Sequence, residues 1–171
     1  MLEFVVCILG MGIIDSLLGP GLDEGTKAPE FTLLDQAGNK RSLEDAKGKW
    51  LVLYFYPKDQ TKGCTAQACS FRDNWDALKN MDINLWGVST DSVSSHEKFA
   101  EKHQLPFPVL ADDKKQVSKK YNVLLPLGIA NRITFLVNPN GTIKKKLKFV
   151  SWGNYAETVA KELATLIGTK S

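Results

Sequence analysis

A chain of 171 residues is long enough to bury one sizeable core without disulfide or metal staples. Its 43% apolar and 24% charged residues are ordinary for a soluble globular protein, and a net charge of +3 is too small to argue for nucleic acid as a partner. Three cysteines cannot form a paired framework, which excludes the small disulfide scaffolds.

Residues 4–14 (FVVCILGMGII) are continuously apolar apart from their glycines, until Asp15 interrupts them. That stretch is shorter than the roughly twenty residues a membrane span needs. A secretory signal would want a basic start and a small-residue cleavage site. Here the start carries Glu3, and Leu18-Gly19-Pro20-Gly21 is a poor site. Three readings stand: a packed N-terminal helix, a degenerate export segment, or an extension upstream of the mature protein. The expectation is a non-cleaved segment on a cytoplasmic protein, with export or membrane association through residues 1–20 as the alternative. Cys7 lies alone in this stretch and reads as inert. Gly19-Pro20-Gly21 reads as a linker, so residues 1–24 are set apart and one domain is expected over residues 25–171.

Residues 31–34 predict a short strand closed by the turn Asp35-Gln36-Ala37-Gly38. Residues 50–56 (WLVLYFY) form a near-continuous apolar run ended by Pro57, the signature of a strand buried on both faces. A polar loop over 57–63 leads to an amphipathic helix over 64–80. Next come a strand over 83–89, a helix over 93–103, a strand over 107–110 and a helix over 113–121. Strands over 132–137 and 142–150 are joined by Asn138-Pro139-Asn140-Gly141, whose Asn-Gly pair favours a hairpin. A helix over 155–167 closes the chain, with Val159, Leu163 and Leu166 on its core face. The lysine runs at 114–115, 119–120 and 144–146 read as solvated faces, with no aromatic residues interleaved as single-strand binding would want. Alternating strands and helices predict parallel connections, and the last hairpin adds an antiparallel edge. The expected fold class is α/β, a mixed central sheet flanked by helices on both faces. With a cysteine at a strand-to-helix junction, this is the thioredoxin-like arrangement.

Cys64 and Cys69 stand close together just after the apolar strand, which reads as redox chemistry or metal binding rather than as a staple. Ala68, Phe71, Trp75 and Leu78 recur three or four apart, and four back from Ala68 is Cys64. Cys64 therefore opens the helix face that packs on the sheet. In the first turn, unpaired N–H groups and the positive end of the helix dipole favour a thiolate. A free cysteine is only about 3% thiolate at pH 7, whereas helix N-termini make other cysteines predominantly ionised, at some loss of intrinsic nucleophilicity. Lys58 and Lys62 add positive charge nearby. The bland alternatives are a buried apolar Cys64 and a spectator Cys69.

The stretch YFYPKDQTKGCTAQACSFRD, residues 54–73, closely resembles the peroxiredoxin Q group, also called bacterioferritin comigratory protein. The general peroxiredoxin pattern Pro-x-x-x-Thr-x-x-Cys is met by Pro57, Thr61 and Cys64, and a second cysteine five residues later marks this group. The resemblance runs from about Gly25 (GTKAPEFTLLDQAGN) to the end. It implies that Cys64 is the peroxidatic cysteine, that Thr61 hydrogen-bonds the peroxide and that Pro57 shields the site from water. It places the family's active-site arginine at Arg132, there to favour the thiolate and stabilise charge on the departing oxygen. On the residues alone, Arg132 is equally an ordinary strand-end arginine.

Cys69 resembles the resolving cysteine. Five residues apart in an intact helix, the two Cα atoms would lie roughly 8–9 Å from one another. Disulfide geometry rejects separations beyond about 7 Å, so a Cys64–Cys69 bond requires the first turn to unwind. The implied activity is reduction of hydrogen peroxide and organic hydroperoxides, in antioxidant defence and redox homeostasis. It proceeds through a Cys64 sulfenic acid and an intramolecular disulfide recycled by thioredoxin or a glutaredoxin-like dithiol. The resemblance implies no metal, haem or flavin cofactor, and a monomer or weak dimer. The chain departs from the group at Lys62, commonly proline, and at Gln67, commonly glutamate. The segment 124–131 is also shorter than in many relatives.

Two other readings of the paired thiols remain. A disulfide oxidoreductase would normally use Cys-x-x-Cys. A metallochaperone would want a histidine ligand, but His96 and His103 share one predicted helix and read as exposed or half-buried residues. A purely binding domain would keep every activity after Cys64→Ser.

Overall fold

The computed structural model describes residues 18–148 and 154–168. Cys7, the apolar stretch 4–14 and the end of the expected strand over 142–150 lie outside the described residues. The apolar run after Lys49 forms the central strand β3 (Trp50–Phe55), buried throughout beyond its first residue. Its side chains alternate between two cores, Val52 and Tyr54 into one, Leu51, Leu53 and Phe55 into the other. β4 (Ile83–Ser89) and β5 (Val109–Ala111) continue the sheet in parallel on one side of β3. β1 (Thr32–Asp35) and β2 (Lys40–Ser42) extend it antiparallel beyond β5. On the other side, β6 (Ile133–Val137) and β7 (Ile143–Lys148) add the expected antiparallel edge. The order is β2-β1-β5-β4-β3-β6-β7, a mixed sheet of the expected α/β class.

Helices α1 (Lys62–Asp73), α3 (Val93–His103) and α5 (Tyr155–Gly168) cover the first core through Phe71, Phe99, Val159 and Leu163. Leu166 packs against that core only partly buried. The second core is closed by α4 (Gln116–Lys120), through Val117, and by a 3₁₀ turn at Leu43–Ala46. Helices thus flank both faces, unequally.

Several boundaries differ from the sequence reading. The helix expected over 64–80 begins two residues earlier and breaks at Asn74, leaving α2 (Trp75–Lys79) as a separate piece. At Asn74 the backbone leaves the helical region (φ −105°, ψ 14°), and its side-chain amide donates to the Ser70 carbonyl at 2.9 Å alongside its own N–H. The helix expected over 113–121 shrinks to Gln116–Lys120. The buried Asp112 carboxylate caps it, accepting from the Val117 and Ser118 N–H groups, while Lys115 takes a left-handed conformation. β2 has no counterpart among the expected elements. It is a polar edge strand held by Asp35, whose carboxylate accepts from Ala37 N, Asn39 N and Arg41 Nε. The stretch read as a linker is bonded to the body: Gly21 N donates to Asn122 O at 2.8 Å, and Asn131 Nδ2 to Gly19 O at 3.0 Å. The ordered body therefore reaches back from Gly25 to Gly19.

The sheet also fixes an aromatic floor under α1. Tyr54 lies across Gly87 of the neighbouring strand and packs against Tyr56, Phe71 and Phe107. A Cβ at residue 87 would stand 2.7 Å from the Tyr54 ring, which those neighbours hold in place. Gly87→Ala is therefore expected to destabilise the protein by about 1–3 kcal/mol despite alanine's better strand propensity, measured as the urea unfolding midpoint.

Candidate active site

β3 ends at Phe55 and delivers the chain into the loop over 57–61. Thr61 occupies the N-cap of α1 with extended backbone (φ −76°, ψ 150°), so Cys64 is the third residue of the first turn. Its side chain is 1% exposed and belongs to the core that Ala68 and Phe71 share. Arg132 arrives from the neighbouring strand. Antiparallel pairing of Phe55 with Ile133 sets the residue before β6 beside the residues after β3. The guanidinium divides between two partners: Nη2 donates to Cys64 Sγ at 3.4 Å and Nη1 to Gln67 Oε1 at 2.9 Å. Gln67, one turn beyond Cys64 and fully buried, thus holds the plane of the arginine with a neutral amide.

Thr61 is exposed beside them, and its hydroxyl donates to Lys58 O at 2.9 Å rather than capping the helix. With its proton so engaged, Oγ1 keeps lone pairs to accept from an incoming O–H. Pro57 is half-buried at the exit of β3. Beneath the cysteine, burial and then the charge of the nearby Cys64 sulfur push the Tyr54 hydroxyl well above the ordinary tyrosine range. Tyr54 therefore stays neutral, its hydroxyl buried without a partner.

Cys69 lies on the same helix, half-buried, with Sγ 4.0 Å from His103 Nδ1. Both Cys64 and Cys69 are free thiols on an unbroken helix, facing different neighbours. Of the five residues anticipated, Cys64, Arg132 and Thr61 gather at the helix start with Pro57 at its approach. Cys69 stands apart. Among the described residues, no group of three or more His, Cys, Asp or Glu side chains is placed to hold a metal ion.

The sequence reading missed a buried polar network behind the loop. His96, read there as exposed or half-buried, has no exposed surface. Its Nδ1 stands 2.7 Å from Asp59 Oδ2 and its Nε2 3.0 Å from Leu110 O. A carbonyl only accepts, so Nε2 carries a hydrogen that it donates to Leu110 O. Tyr56 Oη donates to Asp59 Oδ1 at 2.7 Å, Ser95 Oγ to Asp59 Oδ2 at 2.8 Å, and the Asp59 N–H to Asp91 Oδ2 at 2.8 Å. The signal was available, since positions 96, 99, 100 and 103 share one helix face with Phe99 and Ala100. This network ties the active-site loop to α3 two residues before Thr61. His96→Leu would leave the Asp59 carboxylate buried and unpaired. It is expected to lower unfolding free energy by about 3–5 kcal/mol, read by denaturant titration.

Comparison with known proteins agrees with this geometry. The AhpC/TSA family model matches residues 25–146. The putative peroxiredoxin bcp of Coxiella burnetii is 41% identical over 149 residues, which cover 82% of this chain and 98% of that protein. Peroxidoxin BcpB from Mycobacterium tuberculosis superposes with a TM-score of 0.78 at 31% identity, covering 88% of this chain and 99% of that one. The bacterioferritin comigratory protein of Xanthomonas campestris, studied for alkyl peroxide reduction, gives a TM-score of 0.75 at 29% identity, over 80% of this chain and 91% of its own. The chain belongs to the AhpC/TSA family and is a peroxiredoxin, a thiol-dependent peroxidase with the thioredoxin-like fold.

Proposed function

We propose that Cys64 is the peroxidatic residue, Cys69 the resolving one, and Thr61, Pro57 and Arg132 the groups that prepare the attack. The observation that carries this reading is the Arg132 guanidinium, 3.4 Å from a Cys64 sulfur in the first turn of α1. That arrangement stabilises a thiolate from two sides, by the helix terminus and by a charged donor. The thiolate attacks the distal peroxide oxygen, the O–O bond breaks, and the departing oxygen leaves as water or an alcohol after taking a proton. Thr61 accepts a hydrogen bond from the peroxide, Arg132 meets the negative charge of the leaving oxygen, and Pro57 limits access of bulk water.

Cys64 is then a sulfenic acid. Unwinding the first turn brings it to Cys69, and the disulfide forms with loss of water. Thioredoxin or a glutaredoxin-like dithiol restores both thiols by exchange. Hydrogen peroxide and organic hydroperoxides are the substrate class. The bacterioferritin comigratory protein of Xanthomonas campestris, studied for alkyl peroxide reduction, supports the organic part. A cytoplasmic monomer or weak dimer completes the reading. Among the described residues, no helix is long and apolar enough to cross a membrane.

The test is stopped-flow mixing of reduced protein with one equivalent of hydrogen peroxide, followed by disulfide mapping by mass spectrometry. A fast phase far above free-cysteine rates and a Cys64–Cys69 bond are expected. Oxidation no faster than an unactivated thiol would overturn the assignment. Cys64→Ser is expected to abolish peroxide consumption. Cys69→Ser is expected to consume one equivalent and stall without a small thiol. Arg132→Ala is expected to slow the first phase by about 10²–10³-fold, as removal of a charge-stabilising donor does elsewhere.

A further inference from the structure

The resolving half of the site holds a group that the cycle above does not use. His103 ends α3, and its Nδ1 is 4.0 Å from Cys69 Sγ, while its Nε2 is buried with no hydrogen-bond partner. Its backbone carbonyl accepts from Arg72 Nη1 at 2.8 Å, which ties α1 to the end of α3 next to the thiol. The groups around the imidazole are Cys69 and Arg72 from α1, Lys102 on its own helix, and the edge of the Phe99 ring. Burial first, then the positive charges of Lys102 and Arg72, hold its pKa below the ordinary histidine value. The ring is therefore neutral at pH 7, and in its tautomer with hydrogen on Nε2 the Nδ1 lone pair would face the sulfur.

We propose that His103 is the general base for the Cys69 thiol in the resolving step. The proposal rests on the peroxidase reading, with Cys69 as the resolving cysteine. As the Cys69 sulfur attacks the sulfenic sulfur of Cys64, its proton passes to His103 Nδ1. The S–S bond forms, the sulfenic S–O bond breaks and hydroxide leaves. The proton and the hydroxide together account for the water released, so no outside oxidant or reductant enters. An unassisted thiol is a poor nucleophile at neutral pH, and a positioned base corrects that without a permanent charge in a half-buried site.

The fold also keeps the base with its thiol while the helix opens. Around Cys69, α1 is held by Arg72 on His103, by Ser70 Oγ accepting from Ala156 N at 3.1 Å, and by the fully buried Phe71. Residues 61–63, which lead into Cys64, are exposed or half-buried. Unwinding therefore carries Cys64 toward Cys69, and the Cys69–His103 contact survives into the step that needs it.

The experiment follows both phases after one equivalent of hydrogen peroxide, across pH 5–9, in the wild type and in His103→Asn. The fast phase is expected to be unchanged within about twofold. Disulfide closure, read by acid quench, alkylation and mass spectrometry, is expected to slow about tenfold or more at pH 7. In the wild type, closure should fall as pH drops through the lowered histidine pKa, below 6.5, because the protonated ring accepts nothing. In the variant that limb should vanish, leaving a rise across the thiol range, with partial rescue by added imidazole. Closure at the wild-type rate in His103→Asn, or slower closure with an unaltered pH profile, would overturn the proposal. The wild-type profile tests it without any substitution: closure independent of pH between 5 and 7 would also overturn it. A second readout separates this proposal from the cycle it rests on. In Cys64→Ser, where no disulfide can form, iodoacetamide should modify Cys69 faster than it does once His103→Asn is added to the same chain. Equal rates would remove the base, whereas absence of a Cys64–Cys69 bond in the wild type would remove the resolving cycle itself.

Discussion

Phe55 pairs with Ile133, and the site depends on that single register. Because β3 and β6 run antiparallel, the residues leaving one strand stand beside those entering the other. The chain leaving β3 turns through the 57–61 loop into α1, and the chain entering β6 brings Arg132. A slip of one residue would send the arginine's neighbours to the wrong face of the sheet and take its donors from the sulfur. The register is firmly specified because β3 and β6 are buried on both faces. Chemistry at Cys64 thus borrows its precision from packing at the centre of the sheet.

In the proposed cycle the helix carrying Cys64 meets two opposed demands, intact during attack and open during resolution. Composition of the first turn supports both. Lys62 occupies the first helical position, where proline would pre-set the backbone. A lysine there also opposes the helix dipole, by about 0.3–1 kcal/mol at an exposed site. Both effects weaken the turn that must open, while the positive charge still favours a thiolate beside it. Further along, Phe71, Ser70 and Arg72 bind the helix to the sheet, α5 and α3. Contacts are graded along a single helix, few before Cys64 and more around Cys69, the arrangement the proposed resolving step would use.

How much of this could be read from the sequence follows from how local each signal is. The buried strand at 50–55, the strand over 83–89 and the helix over 93–103 were legible because apolar spacing alone specifies them. Cys64 was legible as the start of a packed helix face, and Arg132 only through resemblance, since no local pattern distinguishes it from a surface arginine. What escaped depended on side chains meeting across long separations. Asp112 shortens α4 by capping it and the long helix breaks at Asn74, both with polar bonds that hydropathy does not register. Asp59 and His96 are 37 residues apart, and only the fold reveals that the loop's acid is the histidine's partner. β2 is too short and polar to stand out, and the Asp35–Arg41 pair holds it in place.

The buried Asp59–His96 pair would give the helix a fixed origin if it opens as the proposed cycle requires. Asp59 is anchored on both carboxylate oxygens and through its own N–H. The next residue, Gln60, already has positive φ (61°), a conformation that non-glycine residues adopt reluctantly. Beyond it come Thr61, Lys62 and Gly63, exposed or half-buried. Backbone rotation in the proposed cycle would therefore be concentrated in the few residues between this anchor and the Cys64 sulfur, with the glycine immediately before Cys64 offering the least resistance. Cys64 would then travel on a short tether whose fixed end lies in the core, and the tether would limit where it can go. A buried Asp–His pair is weak evidence for stability alone. In the proposed cycle it would define the radius within which an oxidised Cys64 finds Cys69 rather than solvent.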